Sequence, residues 1–388
     1  MAVKLKKLKD QVMVITGASS GIGLTTARLA AKAGARLVLA ARSEQALRQL
    51  TNEINRAGSP AQAVYVVADV SHKGDVEHIA QVAQQRFGGF DTWVNNAGTS
   101  VYGRIDQHTE DDMRQIFETN FWGLVHGSML AARHLKRKGG AIINVGSILS
   151  DLTAILQSVY SASKHAVKGF TDGLRMELEM EGAPISVTLI QPAAIDTPFT
   201  TSAKNYLDRT PKHAPPAYAP DTVARAIVHA AQKPTRDVVV GGGGKAFISM
   251  EHWTPGLLDK FMETGFAKME HSDEPPRPRE QNGLDRPMGA LQERGNYPGY
   301  TRETSFYTSA VLSPVLTTAA LLGAGAGLAV WLNRSKLSSG SAGNGHASAQ
   351  HGEVDSRKDY DISLSSEPAT ATAGHDQRYA EARREDLP

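Results

Sequence analysis

Gln11-Val-Met-Val-Ile-Thr16 runs straight into Gly17-Ala-Ser-Ser-Gly21-Ile-Gly23, and the reading of this stretch decides the fold. The first part is a short apolar run of the kind carried by a strand buried on both faces. The glycines then open a helix that the pattern continues to about Ala33. Glycine here permits a tight turn and lets backbone N–H groups approach a pyrophosphate at the helix N-terminus. Gly17, Ser19, Ser20, Gly21, Ile22 and Gly23 are therefore the expected phosphate cradle. A plain strand-to-helix connection competes with this reading, and the strand before and helix after weigh against it.

Further along, Arg36-Leu-Val-Leu-Ala40 reads as a second strand, ending in Ala41-Arg42-Ser43. An NAD site carries an acidic residue at this point for the ribose hydroxyls, whereas an arginine suits the 2′-phosphate of NADP. No acid is present and Arg42 is, so NADP is expected over NAD. Helical stretches from Glu44 and Val76 alternate with a third strand, Ala63 to Ala68, and with Asp91-Thr-Trp-Val-Asn-Asn-Ala-Gly98. Asp69 and Val70 are placed to meet the adenine end of a nucleotide, although Asp after a strand also serves as a helix cap. Such alternation argues for right-handed βαβ units and a parallel sheet.

Ala141-Ile-Ile-Asn-Val-Gly-Ser147 reads as another buried strand, delivering the Ser147 hydroxyl to the crevice beyond its C-terminal end. Tyr160-Ser-Ala-Ser-Lys164 follows on a helix. A tyrosine and a lysine four apart share one face, so the ammonium can sit beside the phenol and favour its ionised form. Phenol, hydroxyl and cation together can polarise a carbonyl and hand it a proton while a hydride arrives from elsewhere.

With these residues in order, the chain resembles a short-chain dehydrogenase/reductase of the TGxxxGxG, YxxxK subdivision over about residues 10 to 245. The resemblance rests on Thr16 to Gly23, Asn95-Asn96-Ala97-Gly98, Asn120, Ser147, Tyr160, Lys164 and Pro192 to Thr197. It implies a Rossmann-like, doubly wound, parallel seven-stranded α/β sheet and a nicotinamide cofactor. It also implies a catalytic tetrad of Asn120, Ser147, Tyr160 and Lys164, with Asn120 holding a water that links the lysine to solvent. Asn96, Ala97, Gly98, Pro192, Ile195 and Thr197 become cofactor contacts, Tyr160 and Lys164 meet both cofactor and reaction, and Ser147 and Tyr160 meet the substrate. At the Pro192-Ala193 step the family usually has Pro-Gly. Dimers or tetramers built on the long helices around Asn120 and Tyr160 are implied as well. Two other readings stay open: an NAD-retaining epimerase or dehydratase, and a non-catalytic dinucleotide sensor or scaffold.

Pro198 to Pro220, with five prolines and the aromatics Phe199, Tyr206 and Tyr218, reads as a substrate lid favouring a bulky or apolar carbonyl or alcohol. Gly241-Gly-Gly-Gly244 lacks the GK[ST] of a phosphate loop and is expected to be a flexible exit from the domain. A net charge of +2 gives no pointer to nucleic acid, and the absence of cysteine excludes disulfides and thiolate metal sites; no metal is expected. The basic start, Met1 to Asp10, reads as a solvated extension. Beyond the catalytic domain we expect a helical extension over 246–271, then a disordered linker over 272–309, rich in Pro, Gly, Arg and Glu. Residues 311–332 carry no charge and match the length needed to cross a bilayer core of about 30 Å. They are expected to be a transmembrane helix, with a disordered tail over 333–388 and the catalytic domain on the cytoplasmic side.

Overall fold

A computed structural model describes residues 3–57, 61–270, 272–288, 291–295, 297–313 and 317–318. The apolar runs become β1 (Val12–Thr16), β2 (Arg36–Ala41), β3 (Ala63–Val67), β4 (Thr92–Asn95), β5 (Gly140–Val145), β6 (Ile185–Pro192) and β7 (Asp237–Val240). All pair in parallel in one seven-stranded sheet of order β7-β6-β5-β4-β1-β2-β3. The order reverses between β1 and β4, which opens a crevice beyond their carboxyl ends, where ligands of such sheets bind.

Residues along each strand alternate between two helical layers. Met13 and Ile15 of β1 face α1 (Gly21–Lys32), α2 (Glu44–Arg56) and the helix Pro220–Ala230. Val12 and Val14 face α3 (Lys73–Phe87) and, beyond α4 (Glu110–Phe117), the inner faces of α5 (Gly123–Leu135) and α6 (Ser158–Met180). With Pro220–Ala230 numbered α7, the helical segment that follows comprises α8 (Gly242–Trp253), α9 (Pro255–Phe261) and α10 (Ala267–Glu270).

Three expectations need correction. The glycine run is no flexible exit: it opens α8, and a Cβ on Gly244 would stand 2.7 Å from Ile148 and 2.8 Å from Ala193, so small residues let this helix lie on the loops beyond the sheet. The basic start is anchored, with Leu8 buried and Lys6 paired to Asp91 at 2.7 Å.

The largest departure is the stretch expected to be a disordered linker. Its described residues wrap the catalytic domain as a strap. Leu284 is buried against Val101, Ile116 and Val159, and the Asn282 side chain accepts from the backbone N–H groups of Leu284 and Asp285. Thr301–Arg302 pairs in parallel with Ala217–Tyr218. The composition holds too few apolar residues for a core of its own, but a few anchors and borrowed backbone partners suffice against a preformed surface.

Of the apolar run 311–332, Val311 and Leu312 close a helix, α11 (Phe306–Leu312), that packs near β7, α7 and α8. Most of that run and all of 333–388 lie outside the described residues. Among the described residues, no helix is long and apolar enough to cross a membrane.

Candidate active site

The glycine-rich turn is tied to the end of β4. Thr16 Oγ1 accepts from the N–H groups of Asn96 and Ala97, while Asn96 Nδ2 donates to the carbonyls of Thr16 and Gly17. Gly17 and Gly21 hold φ of +67° and +51°, backbone that glycine adopts at least cost. Gly23 has no room for a side chain: a Cβ there would lie 2.2 Å from the Gly17 carbonyl oxygen. Thr197, buried, packs where a Cβ on Gly21 would point.

Arg42 leaves the end of β2 and donates to the carbonyls of Gly283 and, at 3.1 Å, Leu284. Its guanidinium also lies 3.7 Å from Asp69. Asp69 in turn accepts from the backbone N–H and hydroxyl of Ser71, so it shapes its own turn as well as bordering the cavity. The strap reaches the phosphate cradle too, since Gly21 N–H donates to the Gln292 carbonyl at 2.8 Å.

Around the other end stand the expected reacting groups, all buried. Ser147 follows β5, and its Oγ accepts from Leu149 N–H at 3.1 Å. Burial raises the Tyr160 phenol above its ordinary pKa, outweighing a hydrogen bond with Ser147 that lowers it. Lys164 lies 5.7 Å from the Tyr160 ring centre and donates to the Val145 carbonyl at 2.9 Å. Burial brings its pKa down to about 8. The ionised phenol expected from the lysine's proximity is thus opposed by desolvation, and Tyr160 holds its proton at neutral pH.

Asn120 sits on a π-helical turn, Glu118–Trp122, that joins α4 to α5. Such turns widen a helix locally and are common at functional sites. Its Oδ1 accepts from Thr99 N–H, and its Nδ2 donates to the Thr99 carbonyl and to Ser163 Oγ at 3.1 Å. Ser163 Oγ donates to the Tyr160 carbonyl, so Asn120 braces the helix turn between Tyr160 and Lys164.

One cavity of about 330 Å³ joins both ends. Every expected cofactor residue except Gly23 lines it, as do Ser147, Tyr160 and Lys164; Gly23 and Asn120 stand behind the wall. Of the lid, Phe199 packs 5.5 Å from the Tyr160 ring, whereas Tyr218 belongs to the core and Tyr206 bonds Asp112. Leu149, Leu152, Phe247, Met262 and Phe266 make the rest of that end apolar.

Sequence reasoning missed Tyr102, Gln157, Glu270 and the strap residues Gly283, Pro287 and Met288, which also line the cavity. For Glu270 a signal existed: Met262, Phe266 and Glu270 recur every four residues, the spacing of one helical face. For the strap none did, because its anchors are far apart in sequence.

The nucleotide end fits a dinucleotide. It offers a glycine-rich cradle at a helix N-terminus, a cation beside the end of β2, and a continuous path to the buried Tyr160, Ser147 and Lys164.

Known proteins agree with this geometry. Residues 11–207 match the family model for short chain dehydrogenase. The uncharacterized oxidoreductase YxnA of Bacillus subtilis (strain 168) is 46% identical over 332 residues, covering 85% of this chain and 92% of its own. A match of that extent must run through the strap wherever it begins. Among solved structures, a short chain dehydrogenase/reductase from Burkholderia phymatum in complex with NAD aligns with a TM-score of 0.57 at 25% identity, covering 66% of this chain and 96% of that one. An alcohol dehydrogenase from Thermococcus sibiricus complexed with 5-hydroxy-NADP aligns with a TM-score of 0.51 at 26% identity, covering 59% and 95%. The chain is an α/β oxidoreductase fold with an NAD(P)-type site, and it belongs to the short chain dehydrogenase family.

Proposed function

We propose that this protein interconverts a carbonyl and an alcohol with NADP(H). The observation that carries the reading is the convergence of Ser147, Tyr160 and Lys164 on one cavity with the glycine cradle and the turn after β6. A nicotinamide dinucleotide bound there supplies or accepts the hydride. Ser147 Oγ holds the carbonyl oxygen, and Tyr160 gives that oxygen its proton from the phenol. Because burial keeps the phenol protonated, the resting site suits reduction. Lys164 brings a cation beside the phenol and stabilises the charge left when the proton goes. Asn120 keeps the helix turn carrying both residues in place. NADP is preferred over NAD because Arg42 directly follows β2 and no acid occupies the end of that strand to meet ribose hydroxyls. The apolar wall of Leu149, Leu152, Phe199 and Phe266 favours an apolar substrate.

Homodimers or homotetramers through the long helices are part of the proposal, supported by exposed Trp122, Met129, Met176 and Met180 on that side. Light scattering of the purified chain tests it. A tether through 311–332, with catalysis on the cytoplasmic side, rests on the uncharged run alone. Alkaline extraction of membranes and protease protection test that point.

Nicotinamide absorbance with NADPH or NADH and a panel of ketones, aldehydes and alcohols tests the chemistry. Tyr160→Phe should cut turnover by roughly 100- to 10,000-fold with cofactor affinity retained. Turnover at near the parent rate would refute the assignment, and tightly held, unreleased NAD would favour the epimerase reading.

A further inference from the structure

Glu270 ends α10 and is 3% exposed, yet it lines the same cavity as Tyr160. Its Oε1 accepts from Gln157 Nε2 at 2.8 Å. Its Oε2 is buried and has no hydrogen-bond partner among the described residues. Gln157 is itself 5% exposed and lies one helical turn before Tyr160, so both line the same side of the cavity. The Glu270 backbone is fixed by Lys212 N–H, which donates to its carbonyl at 2.7 Å. Phe266 and Met262, four and eight residues earlier, line the same cavity and belong to its apolar cluster.

A carboxyl in such a place is costly to the fold. A buried polar atom left unpaired is destabilising, and a leucine would fill the site without that cost. The cost is recovered if a ligand supplies the missing partner. Burial also raises the carboxyl's pKa well above the ordinary range, which favours its protonated form, able to donate as well as accept.

We propose that Glu270, positioned by Gln157, recognises a hydroxyl or carbonyl oxygen carried by an otherwise apolar substrate at a point away from its reacting carbonyl. This rests on the carbonyl reading above and narrows it: the substrate is bifunctional, with one oxygen at Ser147 and Tyr160 and a second at Glu270. A hydroxyl pairs with this group in either direction, accepting its O–H or donating to an oxygen. A methyl in the same place leaves Oε2 unpaired, and sites built to bond a substrate hydroxyl reject analogues that lack it.

Matched ketones test this on the full chain. Methyl heptyl ketone and methyl nonyl ketone are compared with the analogues in which the terminal methyl of the long arm is replaced by hydroxyl. Each is measured with the parent, Glu270→Gln and Glu270→Leu. The readouts are the hydroxyl-to-methyl ratio of kcat/KM and the same ratio of calorimetric affinities in the presence of NADP⁺, where no reduction occurs. The parent should favour the hydroxyl analogue of at least one length by roughly tenfold or more. Glu270→Leu should erase or invert that ratio, and Glu270→Gln, which keeps a donor and an acceptor, should retain part of it. A merely structural glutamate would alter overall affinity and leave the ratio alone, so one ratio across all three proteins overturns the proposal. If Glu270→Leu does not fold, Gln157→Leu, which frees the carboxyl from its support, must lower the ratio or the proposal fails. Affinity ratios that behave as expected without turnover by the parent would uphold Glu270 and count against the carbonyl reading.

Discussion

The backbone N–H of Gly21 donates to the carbonyl of Gln292 at 2.8 Å, joining the phosphate cradle to a residue far along the chain. Arg42, whose guanidinium bonds the Gly283 and Leu284 carbonyls, makes a second junction of the same kind. Two groups expected to meet the cofactor's phosphates thus also hold the strap. The strap is part of the nucleotide site's wall, and its integrity and the cofactor's affinity should be linked.

Arg42→Ala should weaken NADPH binding by roughly tenfold or more, the usual effect of losing a charge-assisted hydrogen bond, while NADH affinity changes less. Calorimetric titration of both cofactors reads the difference. Equal losses for the two would show that Arg42 serves the strap and not the 2′-phosphate.

Leu284→Ala removes a side chain that is 1% exposed and is packed on Val101, Ile116 and Val159. A core truncation of this type costs about 2–5 kcal/mol. Chemical denaturation should show a loss in that range, accompanied by weaker cofactor binding because Gly283 and Leu284 position Arg42. A loss below about 0.5 kcal/mol, the level of an ordinary surface change, would mean the strap merely lies on the domain.

Gly23→Ala places a Cβ 2.2 Å from the Gly17 carbonyl oxygen and 2.6 Å from Asn96 Nδ2. One contact is backbone and the other is held by two hydrogen bonds, so neither yields cheaply. Overpacking of this kind costs about 1–3 kcal/mol, and the displaced turn should lose dinucleotide affinity. Unchanged stability and affinity in the purified variant would contradict the close approach of α1 to the turn.

Lys164 links stability to pH. Its pKa falls from 10.5 in the unfolded chain to about 8 in the folded one. Below about 8 both states are protonated and the folded state bears the cost of a buried cation. Between about 8 and 10.5 the folded state sheds the proton that the unfolded state keeps, so rising pH favours folding. The parent should therefore gain stability over Lys164→Met between pH 7 and pH 10, by up to about 3 kcal/mol. Parallel stability curves for the two proteins would show that the lysine is not desolvated.

What the sequence made legible was local. β1 with its glycine turn, the end of β2 at Arg42, and the Tyr160-to-Lys164 helix face each announce themselves within a few residues, because period and turn chemistry act over that range. The balance at Tyr160 was not legible: adjacency to Lys164 argues for ionisation, while burial, a property of the assembled fold, argues more strongly against it. Gly241 to Gly244 illustrates the same limit, since glycine marks flexibility and close packing alike and only the neighbours Ile148 and Ala193 decide between them. The strap escaped because its composition predicts that it cannot fold alone, which says nothing about folding onto something else. Glu270 stood on a readable stripe with Met262 and Phe266, but which way that stripe faced required the fold.

Hydride transfer is the central claim, and isotope tracing tests it most directly. The full-length protein, given NADPH deuterated at the transferring position of the nicotinamide and a carbonyl substrate from the panel, should return an alcohol carrying one deuterium on its carbinol carbon. Tyr160→Phe should form that product at a rate lower by roughly 100-fold or more. Product without deuterium, or labelled product formed by the variant at the parent rate, would contradict the account.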